Sequence, residues 1–238
     1  MITDLSGGLM PILFIHGLGC TSTADYVHLA DRLTGHRRLL ADLCLATDAD
    51  APSDHSIEGL ARYLDAALTA RKNDQVVLFG HSAGGAVALS LARLNPERVT
   101  GVILTECNLD PGGGAWSRRI SQQSEDAFVA HGFAEMIAEQ QIACPTWART
   151  LEISDPAAVH QEAVTLVNGT TPTWREILYG LTCPRTYVFS DAALPDPDFD
   201  ELQRRGVTVE TIPNVGHNMA YENPEALADV VERFLGKH

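Results

Sequence analysis

Positive charge is scarce in this chain: 17 Lys and Arg stand against 31 Asp and Glu, a formal net charge of -14 over 238 residues. A polyanion repels nucleic acid and anionic membrane surfaces, so neither is expected as a partner. Cysteine is sparse and unpatterned. Cys20, Cys44, Cys107, Cys144 and Cys183 are odd in number and lack CxxC spacing, which reads as reduced thiols in a cytoplasmic protein. No apolar run approaches the length of a membrane span. Met1 to Gly8 lack the basic-then-apolar order of a secretory signal. Internal repeats, low-complexity tracts and blocks of like charge are missing as well. What remains, at 45% hydrophobic and 20% charged, suits one globular domain with a sizeable core.

Apolar runs alternate with helical periodicity over much of that domain. Pro11 to Ile15, Arg38 to Leu43, Gln75 to Phe79, Val99 to Thr105, Pro184 to Ser190 and Val207 to Ile212 read as strands. Between them, a helix is expected over Thr23 to Leu33. Another starts at the N-cap Ser56 and carries Ile57, Leu60, Ala61, Leu64 and Leu68 on one face. Ala86 to Leu94 and Asp198 to Arg205 are helical, and Asn223-Pro224 opens a last helix through Phe234. Strands alternating with helices predict an α/β fold, a mostly parallel sheet with helices on both faces. The alternation stops near Asp110 and resumes near Leu181. Residues 110–180 are therefore expected as an inserted helical lid on a core of 1–109 and 181–238, and hold Trp116, Phe128, Phe133, Met136, Trp147, Trp174 and Tyr179.

Three short motifs carry chemistry. Gly80-His81-Ser82-Ala83-Gly84 joins an apolar strand to a small-residue helix. A sharp turn there would expose the Ser82 hydroxyl, which attacks a carbonyl only when a base takes its proton. His16-Gly17-Leu18-Gly19 ends the first clear strand, and Gly216-His217 lies in a loop after the last strand. No pair among the nine histidines shows metal-ligand spacing with a carboxylate, so neither a metal nor a cofactor is expected.

In the order and context of these motifs the chain resembles the α/β-hydrolase superfamily, in its compact serine-esterase form with a helical lid. The resemblance implies Ser82 as nucleophile and His217 as general base. The amides of Leu18 and Ala83 are then the oxyanion hole. With no long stretch ahead of the first clear strand, the usual N-terminal hairpin of the family is expected to be missing, which resembles the compact plant methylesterase and hydroxynitrile lyase relatives. Most relatives carry the orienting acid after the strand that ends here in Phe189-Ser190-Asp191-Ala192-Ala193. An Ala occupies the expected position, and Asp191 is offset by two residues, about 7 Å on an extended chain. Some relatives carry a Glu after the strand following the nucleophile helix, where this chain has Glu106. A carboxylate ending the apolar strand Val102-Ile103-Leu104 needs a partner, and a histidine supplies one. Glu106 is thus read as the acid, with Asp191 as the alternative. The implied substrate is a small or medium, mostly apolar carboxylic ester or lactone. Thioesterase, acyltransferase or C–C hydrolase chemistry on the same triad, or a non-catalytic ligand-binding role, are the alternatives. A lyase of the plant type would need a lysine near the site, and Lys72 and Lys237 are not placed for that. Nothing in the pattern addresses oligomeric state.

Overall fold

The apolar runs assemble into one seven-stranded sheet, ordered β1-β3-β2-β4-β5-β6-β7 in the computed structural model. The structure describes residues 1–8, 10–47, 51–72 and 75–236; Lys237 lies outside them. The strands are β1 (Ile2–Leu5), β2 (Pro11–Ile15), β3 (Arg37–Ala41), β4 (Val76–His81), β5 (Val99–Thr105), β6 (Arg185–Ser190) and β7 (Thr208–Ile212). All neighbours pair in parallel except β1, which runs antiparallel to β3. The edge strand β1 is a correction to the sequence reading, which begins the sheet at Pro11. Only Ile2 of its four residues is buried, so it carries no apolar run to reveal it.

Alternate side chains of each central strand feed opposite layers, as the pleat requires. Leu13, Ile15, Leu78, Val102 and Leu104 face the layer of α3 (Ile57–Ala70) and α4 (Ala83–Leu94). Ile12, Phe14, Val77, Phe79 and Ile103 face the other layer, which holds Tyr26, Leu29 and the apolar side of a C-terminal helix (Pro224–Leu235). The helix expected over 23–33 is broken in two, α1 (Ser22–Asp25) and α2 (Val27–Ala30). The break is at Tyr26, whose hydroxyl donates to the Ile15 carbonyl at 3.1 Å and whose ring packs on Phe14 and Phe79. Fixing that ring in the core overrides the helical periodicity.

Between β5 and β6 the chain is helical: α5 (Ala115–Ser121), α6 (Glu125–Ala127), a π-turn (Phe128–Gly132), α7 (Phe133–Ala143), α8 (Pro145–Leu151), α9 (Pro156–Asn168) and α10 (Trp174–Gly180). This block is not all cover. Trp174 is buried against α4, its Nε1 donating to Ser90 Oγ at 3.2 Å, and Phe128 is buried between Phe133 and His160. After β6 come a 3₁₀ turn (Asp191–Ala193), α11 (Asp198–Arg204), α12 (Met219–Glu222) and the C-terminal helix, α13. Among the described residues, no helix is long and apolar enough to cross a membrane.

The chain leaves β2 for β3 on one side and returns to β4 on the other, so β2 and β4 flank the point where strand order reverses. Loops at the carboxyl ends of parallel strands converge over such a point, where open α/β sheets bind ligands.

Candidate active site

The carboxyl end of β4 turns into Ser82, whose backbone stands at φ 52° and ψ -122°. Non-glycine residues rarely adopt a left-handed φ, and the surroundings must hold it there. The Ser82 amide donates to the Thr105 carbonyl at 3.0 Å, and the Ser82 carbonyl accepts from the Gly85 amide at 3.0 Å. A Cβ on Gly84 would overlap the carbonyl oxygens of Ile15 and His16, so only glycine lets α4 start this close to β2.

Glu106 follows β5, also at positive φ (47°). Its side chain is 14% exposed, Oε1 accepts from the Ser190 amide at 2.6 Å, and Oε2 lies 3.9 Å from His217 Nδ1. Burial alone would raise its pKa, but the facing His217 and the Ser190 amide outweigh that and hold the carboxyl below its ordinary value. The 3.9 Å separation is that of an ion pair rather than a hydrogen bond. Such contacts commonly shorten when substrate binds.

His217 is 54% exposed, on the loop after β7. Two carboxylates brace this loop. Asp191 accepts from the amides of Asn214 (2.9 Å) and Val215 (3.3 Å), and Glu222 accepts from Gly216. The alternative acid Asp191 is therefore engaged with backbone, and Glu106 is the carboxylate facing His217 Nδ1. Two residues of offset put Asp191 beside the start of the histidine loop.

His81 lies against His217, with ring centroids 4.7 Å apart. Its Nδ1 is 3.1 Å from the Thr105 carbonyl and 3.0 Å from Thr105 Oγ1. Burial, then the neighbouring His217, push its pKa down to about 3, so His81 is neutral at physiological pH. His16 is also buried and neutral. The Leu43 amide donates to its Nε2 (3.0 Å), which leaves Nδ1 to donate to the Gly17 carbonyl (2.8 Å).

That last contact orients the next peptide. The Gly17 carbonyl is held by His16 Nδ1 and by the Cys20 amide at 3.1 Å. In a planar trans peptide the Leu18 N–H points the opposite way. A Cβ on Gly17 would come within 3.2 Å of Ser82 Cβ, so the loop runs directly past the serine. Ala83, the first residue of α4, has an amide without an intrahelical partner, at the positive end of the helix dipole.

Ser82, Glu106, His217 and Leu18 share one cavity of about 410 Å³. Trp116, Gln140, Trp147 and Leu166 from the helical block wall it. Of the seven aromatic and sulfur side chains expected in that block, Trp116 and Trp147 reach this wall, edge to face with centroids 5.5 Å apart. Sequence reasoning missed the fastening between α8 and the loop after β2. Trp147 Nε1 donates to the Leu18 carbonyl at 2.9 Å, and Thr150 Oγ1 donates to the Gly19 carbonyl at 3.0 Å. No residue pattern signals contacts between residues 129 and 131 positions apart in the chain. Cys107 is buried beneath Gly85 rather than in the cavity, while Cys20 and Cys144 line it. Among the described residues, no group of three or more His, Cys, Asp or Glu is arranged to hold a metal ion.

The strand order agrees with the family comparison. Residues 12–230 match the alpha/beta hydrolase family, and the chain belongs to it. It is 26% identical over 267 aligned residues to the sn-1-specific diacylglycerol lipase ABHD11 of Mus musculus, covering 98% of this chain and 83% of that one. A haloalkane dehalogenase of Agrobacterium fabrum is 37% identical over 102 residues, 42% of this chain and a stretch spanning only 33% of that protein. Among solved structures, an esterase from Thermogutta terrifontis superposes with a TM-score of 0.80 at 22% identity, covering 100% of this chain and 93% of that one. This last likeness is one of fold.

Proposed function

We propose that the protein is a serine hydrolase that cleaves a small or medium, mostly apolar carboxylic ester or lactone through an acyl-enzyme. The observation that carries this reading is the convergence of a left-handed Ser82 with the Glu106–His217 pair on one cavity. Glu106 orients His217 and stabilises its imidazolium. His217 takes the Ser82 proton as Oγ attacks the carbonyl carbon. The amides of Leu18 and Ala83 receive the oxyanion, the electrostatic contribution that is largest in most acyl transfers. His217 then protonates the leaving oxygen, and a water deprotonated by His217 releases the acid. A cavity of about 410 Å³ walled by tryptophan and leucine supports a modest apolar acyl group. The dehalogenase-named relative does not bring its reaction with it. Displacing a halide calls for a carboxylate at the elbow, and the elbow here carries a hydroxyl.

A fluorophosphonate probe tests the nucleophile: it should label the native protein and leave Ser82→Ala unlabelled. Turnover of a short p-nitrophenyl ester tests the acid. Glu106→Gln should lower kcat by a factor on the order of 10²–10⁴, and Asp191→Asn by much less. A native protein that resists the probe overturns the enzyme reading. A loss confined to Asp191→Asn overturns the assignment of Glu106.

A further inference from the structure

A second cavity, of about 250 Å³, adjoins the first. The two share Cys20, His81, Cys144, Trp147 and Asn218 as a common wall. The remaining lining differs in character. Asp25, Tyr26, Tyr221 and Glu222 face it, and among the described residues none of the side chains lining it is a Lys or Arg. Tyr221 and Glu222 are exposed and form its mouth, whereas Tyr26 is buried at its base.

Asp25 is the informative residue. An ionised carboxylate has lone pairs for about four donors. The Cys20 thiol, a weak donor, lies beside it in the same lining. Burial raises its pKa, the Cys20 contact opposes that, and nearby Asp42 adds to the rise, so that the carboxyl titrates at about 6 and is mainly charged at neutral pH. Such a group disfavours a bare alkyl chain beside it. It favours a ligand that brings a positive charge or strong donors, and the lining also holds Trp147 and Tyr221, aromatic side chains of the kind that attract a cation.

The position of the cavity says which half of the substrate reaches it. Asn218, Ala220, Tyr221 and Glu222 follow His217, which on the esterase reading protonates the leaving oxygen, and Cys20, Asp25 and Tyr26 follow the Leu18 loop, so the cavity lies between the histidine loop and that loop. We infer that this cavity is a binding site for an ammonium group on the leaving alcohol, so that the preferred substrates are esters of short amino alcohols. This rests on the esterase reading above and narrows it: the acyl half is apolar, the alcohol half cationic.

The test compares 2-(trimethylammonio)ethyl acetate with its neutral isostere, 3,3-dimethylbutyl acetate. The wild-type protein should favour the cation in kcat/KM by a factor on the order of ten. Asp25→Asn, which keeps shape and removes charge, should bring the ratio close to one. Tyr221→Leu, at the exposed mouth, should lower the ratio without disturbing the buried carboxyl. Hydrolysis of the neutral ester with no cationic preference overturns the inference and leaves the esterase reading standing, as does a preference that survives Asp25→Asn. If neither ester turns over and Ser82 resists the fluorophosphonate, the esterase reading falls. Calorimetric titration with tetramethylammonium ion then decides the cavity alone: binding weakened by Asp25→Asn supports the cation site, and no binding to the wild-type protein overturns it.

Discussion

Replacing Glu162 by Gln should stabilise the protein, and by an amount set by pH. Glu162 lies on α9, fully buried, and its Oε2 accepts from the Cys44 thiol at 3.4 Å. Burial, opposed only by that thiol, pushes its pKa from an ordinary 4.5 to about 7. Below 4.5 the carboxyl is protonated in folded and unfolded chains alike and contributes nothing. Between 4.5 and 7 the unfolded chain releases a proton that the folded one keeps, so stability falls as pH rises, by up to about 1.4 kcal/mol per pH unit. Above 7 both forms are ionised and the penalty is constant. A gap of about 2.5 pH units makes it about 3 kcal/mol. Gln keeps the shape and never ionises. Urea unfolding of both proteins from pH 4 to 8 isolates the effect, because the other titrating groups cancel in the difference. The two should be about equally stable near pH 4. Near pH 8 the variant should be ahead by about 3 kcal/mol, a rise in Tm on the order of 6–12 °C for a chain of this size. A difference that does not change with pH, or a variant less stable at pH 8, would refute the reasoning and mean that the native carboxylate has a charged or multiply bonded partner.

Trp147→Phe removes the donor to the Leu18 carbonyl while keeping an aromatic wall. It should cut kcat on a p-nitrophenyl ester severalfold with little change in Tm, and an unchanged kcat would mean that this contact does not set the proposed oxyanion role of the Leu18 amide. Gly84→Ala puts a Cβ into the carbonyls of Ile15 and His16; thermal unfolding should show a loss of more than about 2 kcal/mol, and wild-type stability would mean that the elbow can shift. Burial pushes the Cys20 and Cys107 thiols up, so an alkylating reagent at neutral pH should modify half-buried Cys144 first, as read by peptide mass spectrometry. Faster labelling of Cys107 would contradict its burial beneath Gly85.

Much of the candidate site was legible because the chemistry proposed for it leaves few choices of sequence. A serine forced to positive φ between a buried strand and a close-packed helix needs small residues around it, and Gly80 to Gly84 show them. Glu106 was legible for an electrostatic reason: a carboxylate ending an apolar strand has to meet a partner, and it faces His217. Its second partner, the Ser190 amide, was not legible, since any backbone amide could have served. Asp191 could not be told from Glu106 by residue type, because bracing the histidine loop and orienting the histidine call for the same residue type in nearly the same place; in the fold it accepts from the amides of Asn214 and Val215. β1 and the break at Tyr26 escaped notice because pairing and a buried ring decided them, not local periodicity. The cavity beside Asp25 was invisible for the same reason: its walls come from four separate stretches of the chain.

The fastening of α8 to the loop after β2 gives the molecule a mechanical property. Trp147 and Thr150 hold the two carbonyls that bracket the turn from Leu18 to Gly19, and the same tryptophan walls the cavity. Moving α8 outward to widen the entrance either breaks both hydrogen bonds or drags the turn, and the Leu18 amide with it, away from Ser82. While both bonds hold, the position of α8 and the position of the Leu18–Gly19 turn are therefore governed by one latch, and a wall of the cavity cannot move without the turn.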